Sequence, residues 1–270
     1  MTEKNLSKKK ASKKNSPQKH WGLLVLEVTL LLVWVGASVI ASQFLIGYII
    51  LWVFGSSAFD LPVVTALFMA LSYVLALVLI ITIPPRIRNL RRKDDKKEKV
   101  FNREEMGMKG LPTWTDIGLA PVGYVVYLVL ATGITALFEL FTWFNTSEIQ
   151  QTGFSPFLVG VDRLVAFFAL VIMAPIAEEM IFRGWLYGKL RVRLSKEVGR
   201  NVSIFISTIL VSLLFGLVHG QWNVGINVFA MSLVLCGLRE VTGTIYSGII
   251  LHMIKNGIAF YLLYVAGFGS

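Results

Sequence analysis

Apolar runs long enough to cross a lipid bilayer recur along the chain, and they restrict its fold more than any other feature. A spanning helix needs roughly 20 mainly apolar residues, because the hydrocarbon core is about 30 Å thick. Such runs lie at about 22–53, 62–83, 117–143, 161–188, 202–219, 223–238 and 244–266. The sequence therefore predicts an all-α fold: a polytopic transmembrane helical bundle of about seven spans, with six or eight as alternatives.

Lysine and arginine are concentrated between the apolar runs. Of the 26 basic residues, seven lie in residues 1–20, ten in 86–109 and five in 189–200, whereas the loops at the other ends of the runs carry none. Loops rich in Lys and Arg remain on the cytoplasmic side of a membrane. We therefore expect a multi-pass protein of the cell membrane with a cytoplasmic N-terminus.

The net charge of +10 comes from these basic segments. Because such segments are attracted to anionic lipid, the expected partner is the lipid bilayer and no nucleic acid. Residues 1–20 resemble the start of a signal peptide, but the apolar run after them is too long and lacks a cleavage site. We expect a retained first span.

The polar groups that recur at helical spacing all lie after residue 160, which divides the chain. The first two runs contain no acidic or basic residue except Glu27, near an end. The 84–115 loop is a lipid-facing connector or a docking site for an acidic partner. We expect a basic cytoplasmic tail at 1–20, an accessory transmembrane pair at 21–83, a basic cytoplasmic loop at 84–115, a third span with an external loop at 116–159, and a working core at 160–266.

Two carboxylates and a guanidinium lie inside the fourth apolar run, at Glu178, Glu179 and Arg183. Charge at bilayer depth costs roughly 2.5–3.5 kcal/mol per residue, so an ionisable cluster there indicates a functional site. Glu179 and Arg183 are four residues apart and share one helix face, where they neutralise each other. Glu178 points away from that pair and remains free for chemistry; a paired structural network with Arg183 is the alternative.

Two further polar pairs share this spacing. Phe215 and His219 end the fifth run, and His252 and Asn256 lie four apart in the last run. Lipid does not accept such side chains, so we expect them to face a common interior with Glu178. A single transmembrane His or Asn often only joins helices, and that explanation suits the weaker pair at Asn223 and Asn227. Lys255 has no assigned role, and a partner carboxylate that faces it is one explanation for its presence.

The group fits hydrolysis by an activated water. A glutamate beside a histidine can take a proton from water, and a second histidine with an asparagine can donate to the oxyanion that develops. Zinc is the minority alternative, since the chain lacks His-Glu-x-x-His and a ligating cysteine pair. A serine–histidine–acid arrangement is also lacking, and Cys236 has no evident activating partner. We expect no cofactor and no metal.

Glycines and helix lengths add two expectations about packing. Gly184-x-x-x-Gly188 and Gly216-x-x-x-Gly220 have the spacing that allows helices to approach closely. Glu178 is roughly 16 Å from a helix end near Lys189, whereas His219 is roughly 27 Å from residue 201. Because the two should lie at one depth, we expect the 189–201 segment to dip into the membrane.

Taken in order, these motifs resemble those of the CPBP (CAAX protease and bacteriocin-processing, or Abi) intramembrane glutamic proteases, which are related to the Ras-converting CAAX endopeptidase. The resemblance covers roughly residues 160–260 and includes the segment from Thr242 to His252. It implies that Glu178 activates water with help from His219, and that His252 and Asn256 form the oxyanion site. Glu179, Arg183 and Phe215 are then supporting residues.

The resemblance also implies a peptide or membrane-protein substrate, with bacteriocin processing or self-immunity as biological roles. A compact, lysine-rich chain with seven spans is more typical of Gram-positive bacterial members. A non-catalytic scaffold for a sensor kinase or a wall-synthesis protein is the main alternative. A proton-coupled transporter would also use buried Glu and His, but no internal repeat supports it.

Overall fold

The protein is described here by a computed structural model that covers residues 21–91, 99–145, 148 and 150–267. The basic tail predicted at 1–20 lies outside these residues. Within them the chain forms seven long helices and no strand, with a short 3₁₀ turn at Ser56–Asp60. The helices are α1 (Trp21–Phe54), α2 (Pro62–Arg91), α3 (Trp114–Phe138), α4 (Gly160–Val198), α5 (Arg200–Leu217), α6 (Trp222–Thr242) and α7 (Tyr246–Tyr264).

The helices form a polytopic bundle, as predicted. Among the described residues, the six helices from α1 to α6 are long and apolar enough to cross a membrane, while α7, of 19 residues, is not one of them. Large apolar side chains remain exposed on the outer faces, including Phe44, Trp52 and Val129. This exposure is expected where the surrounding solvent is lipid, because lipid tails accept apolar surface without cost.

Helix α4 lies at the centre of the bundle. It packs against α1, α2, α5, α6 and α7, while α3 covers α6 and α7 from the other side. Its apolar side chains Ile181, Leu186 and Leu190 are fully buried. A central helix with contacts on all sides is the element from which several helices can be brought to one site.

Two π-helical stretches interrupt α4, at Phe168–Met173 and Met180–Tyr187, on either side of the α-helical segment Ala174–Glu179. A π turn inserts a residue into the helical ladder and is frequent at functional sites. Each stretch therefore resets the direction in which the following side chains point. The two glutamates lie between these stretches.

The cytoplasmic end predicted for α4 is corrected by the structure. The helix does not end near Lys189, while the dip expected of the 189–201 segment stays a prediction. The helix continues to Val198, with Leu190 and Leu194 buried, and turns into α5 at Gly199, whose φ is 81°. Counted from that turn, Glu178 and His219 lie at roughly 30 Å and 28 Å. The difference in depth disappears because the α4–α5 turn lies farther out.

The two glycine motifs have different partners. Gly216 approaches α6 closely, since a Cβ added there would lie 2.8 Å from the carbonyl oxygen of Gly225. Gly184 does not face a helix, contrary to expectation: an added Cβ would meet the side chain of Met106 at 3.2 Å and its backbone oxygen at 3.3 Å. A non-helical segment therefore occupies this face of α4.

That segment belongs to the predicted 84–115 loop and packs against the bundle. Met106 is buried, and the Ile245 amide donates to the Gly107 carbonyl at 3.0 Å. Arg239 donates to the Glu105 carbonyl at 3.0 Å. The described part of the loop, from residue 99 onward, therefore packs against the ends of the helices. Residues 92–98 lie outside the described residues.

Candidate active site

Glu179 is the buried, neutralised member of the glutamate pair. Its carboxylate and the Arg183 guanidinium are both fully buried and lie 3.2 Å apart, Oε1 to Nη1. The guanidinium also stacks on the Phe215 ring, with its carbon 4.3 Å from the ring centre. The predicted pairing of Glu179 with Arg183 is therefore present. Phe215, on α5, adds a cation–π contact to the Arg183 guanidinium.

His252 joins the two glutamates. Its Nδ1 lies 3.2 Å from Glu179 Oε1, and its Nε2 lies 3.8 Å from Glu178 Oε2. The first contact is within hydrogen-bond distance and fixes the ring by its Nδ1 hydrogen; the second is longer than a direct hydrogen bond. The imidazole thus presents its second nitrogen to Glu178.

Glu178 accepts a hydrogen bond from the Tyr73 hydroxyl, in α2. Sequence reasoning missed Tyr73, which lies in the pair of helices expected to be accessory. The available signal was the polar Ser72-Tyr73 pair in the middle of an otherwise apolar run. Glu178 remains slightly accessible, at 13% of its side chain, whereas Glu179 is at 0%. Of the two glutamates, Glu178 is therefore the one that a substrate can reach.

His219 reaches the same layer of the bundle. Its ring packs edge-on against Phe215 with centres 4.9 Å apart, and the His252 ring lies 6.0 Å from Phe215. Its Nδ1 lies 2.7 Å from the Phe215 carbonyl oxygen, which leaves Nε2 as the acceptor of a neutral ring. The His219 ring is within electrostatic reach of Glu178. The Phe215 ring therefore contacts the rings of both histidines.

Asn256 holds the first π stretch of α4. Its amide nitrogen donates to the Leu170 carbonyl at 2.9 Å, and the second amide hydrogen is not used by this bond.

The other two asparagines make separate contacts. Asn227 lies on α6 and accepts a hydrogen bond from Tyr127 in α3, while Asn223 donates to the Glu148 carbonyl at 2.5 Å. The predicted helix-joining role suits Asn227.

Among the described residues there is no group of three or more His, Cys, Asp or Glu side chains arranged to hold a metal ion, and the absence of a metal stays a prediction. The single thiol, Cys236, is fully buried and unpaired with another cysteine. The ionisable groups that meet are carboxylates and imidazoles, which can exchange protons with water.

Comparison with known proteins returned one family. Residues 160–258 match the model of the Rce1-like family, described as type II CAAX prenyl endopeptidase. No curated protein and no solved structure matches the chain. The matched segment contains Glu178, Glu179, His252 and Asn256, which lie on helices, and His219, which lies in the turn after α5. Over residues 160–258, about a third of its length, the chain is therefore similar to the type II CAAX prenyl endopeptidases.

Proposed function

We propose that the chain is an intramembrane endopeptidase that hydrolyses a peptide bond of a membrane-associated or secreted peptide, and that Glu178 is the base that activates water. One observation carries this proposal: Glu178 is held between the Tyr73 hydroxyl and the His252 ring, while the adjacent Glu179 is neutralised by Arg183. Of the two glutamates, only Glu178 is both positioned and accessible.

The reacting water would contact both Glu178 Oε2 and His252 Nε2 from one side. Their separation of 3.8 Å is too long for a direct hydrogen bond, and it lets one water lie within hydrogen-bond distance of both atoms. Glu178 takes a proton as the water oxygen bonds to the scissile carbonyl carbon. The proton then passes to the departing amine as the C–N bond breaks, which restores the carboxylate. No covalent intermediate with the protein forms.

Two residues on α7 would stabilise the oxyanion. His252 is oriented by its Nδ1 hydrogen on Glu179 and donates to the oxyanion from Nε2 when that nitrogen also carries a hydrogen, while Asn256 retains one amide hydrogen beyond the bond to Leu170. One donor of this kind contributes about 2.7–4 kcal/mol in acyl-transfer enzymes. His219, with its Nδ1 hydrogen on the Phe215 carbonyl, would accept from the water through Nε2 and orient it toward Glu178.

The setting of this activity follows from the basic segments. We propose a protein of a Gram-positive cell membrane with a cytoplasmic N-terminus, acting without a cofactor or metal on peptide precursors, in bacteriocin processing or self-immunity. The supporting features are the Lys- and Arg-rich ends of the helices and the match of residues 160–258 to the model of a protease family.

The decisive test compares Glu178→Gln with wild type in proteoliposomes, using a pool of internally quenched apolar peptides. We expect activity to fall at least about a hundredfold, since a general base contributes 10²–10⁴-fold. Glu27→Gln is the matched control, because Glu27 pairs with Arg193 far from the site. Equal cleavage by Glu178→Gln and wild type would refute the role of Glu178. If neither wild type nor Glu178→Gln cleaves any peptide, and both support the same phenotype in cells, the scaffold alternative would be favoured.

A further inference from the structure

Lys255 is a partly buried cation that the proposed chemistry does not use. It lies in the middle of α7, three residues after His252, and its side chain lines a cavity of about 310 Å³. The cavity is open on one side and is lined by α3, α6, α7 and the segment after α3. Its polar lining includes Tyr124, Tyr127, Gln150, Asn223, Asn227 and Lys255. It lies on the side of the bundle away from the basic loops.

Lys255 differs from the other isolated basic residues of the core. Arg163 donates to the Leu158 carbonyl, and Arg183 pairs with Glu179. Within the part of the chain that the structure describes, the Lys255 ammonium makes no hydrogen bond or ion pair, and Glu178 acts on it only at longer range. A cation between membrane helices without a bonded anion is costly. An anionic group entering the cavity would offset that cost.

The lining can also donate hydrogen bonds to such a group. Asn227 accepts from Tyr127 through Oδ1, so its amide hydrogens remain for the cavity. Ile258 and Leu262 supply an apolar wall on α7. One ammonium, an amide donor and apolar walls match a carboxylate at the end of, or on, an apolar peptide.

We propose that Lys255 binds a carboxylate of the peptide substrate and thereby determines substrate specificity. This inference rests on the proposed function for the identity of the occupant. Lys255 and His252 are about 4.5 Å apart along the helix axis, and one extended peptide residue spans about 3.3–3.6 Å. A substrate carboxylate bound at Lys255 and a scissile carbonyl placed at His252 would therefore belong to the same short stretch of the peptide substrate.

The experiment measures binding, which does not require hydrolysis. Full-length Glu178→Gln protein in phosphatidylcholine nanodiscs is titrated with dansyl-Gly-Leu-Leu-Leu as the free acid and as the amide. We expect the free acid to bind about ten- to hundredfold more tightly, as for a charge-assisted hydrogen bond. Lys255→Met should abolish the preference, whereas Lys109→Met, at an exposed lysine paired with Glu104, should retain it.

A third probe, dansyl-Gly-Asp-Leu-Leu amide, identifies the source of the carboxylate. Binding like the free acid assigns a side-chain carboxylate, and binding like the amide assigns the terminal one. Equal affinities of acid and amide, no binding of either, or a preference retained by Lys255→Met would overturn the proposal. Loss of the preference on adding phosphatidylglycerol would assign the cavity to lipid phosphate and also overturn it. If the wild-type protein has no protease activity but still binds the free acid more tightly than the amide, the proposed function would be refuted and the inference about Lys255 would stand.

Discussion

Gly248 provides a sharp test of how the site is held. It lies on α7 against the second oxygen of Glu179, and an added Cβ would be 2.9 Å from that oxygen. The carboxylate cannot withdraw freely, because Oε1 is held by Arg183 and His252 at 3.2 Å each. Gly248→Ala should therefore move Glu179 and, with it, the ring that faces Glu178.

The size of the effect follows from the contact distance. Ordinary van der Waals contact begins at 3.4 Å, so the carboxylate must shift by about 0.5 Å. Catalytic groups need placement within about 0.5 Å, and a 1 Å error costs about a hundredfold in rate. We expect kcat to fall about tenfold with KM nearly unchanged. Overpacking should also destabilise the fold by about 1–3 kcal/mol.

Gly257→Ala is the matched control on the same helix. Its added Cβ would meet Val171 at 3.6 Å, an ordinary contact. Both variants gain about 1 kcal/mol in helix propensity, so their difference isolates the contact with Glu179. Kinetics are measured in proteoliposomes on a peptide that wild type cleaves. If the two variants have the same kcat, His252 does not depend on the position of Glu179, and the reasoning is wrong.

Three other outcomes are expected. Tyr73→Phe should lower kcat about tenfold with little change in KM, because the hydroxyl that positions Glu178 is lost; an unchanged kcat in steady-state assays would contradict this. Arg183→Met should destabilise the protein by about 3–5 kcal/mol, and the double variant with Glu179→Gln should recover part of the loss, as measured by unfolding in mixed micelles; no recovery would contradict the pairing. Cys236→Ser should keep activity, and maleimide should not inhibit the wild type, since the thiol is buried; inhibition that Cys236→Ser removes would contradict this.

Helical spacing predicted the parts of the site that lie on single helices. The Glu179–Arg183 pair followed from a separation of four residues, and the exclusion of polar groups from lipid placed His219 and His252 in one interior layer. Spacing could not predict Tyr73, because contacts between helices depend on which faces meet. The bundle was predictable for a related reason: apolar length alone decides whether a helix can span a bilayer.

The end of α4 shows where the charge pattern was misleading. The basic residues after Lys189 suggested a loop, yet Leu190 and Leu194 continue the buried stripe on α5. An amphipathic helix can leave the membrane without ending there. The glycine spacing at Gly184 correctly indicated a close approach, but spacing does not tell a helix from a loop, and the partner is Met106.

The two π stretches make the site sensitive to chain length. One residue corresponds to about 100° of helix rotation. A single deletion within Phe168–Met173 that restored regular α-helix would turn Glu178 away from Tyr73 and separate Asn256 from the Leu170 carbonyl. Hydrophobicity and span length would hardly change, so the protein could still insert. In this chain a deletion of one codon could thus separate insertion into the membrane from assembly of the site.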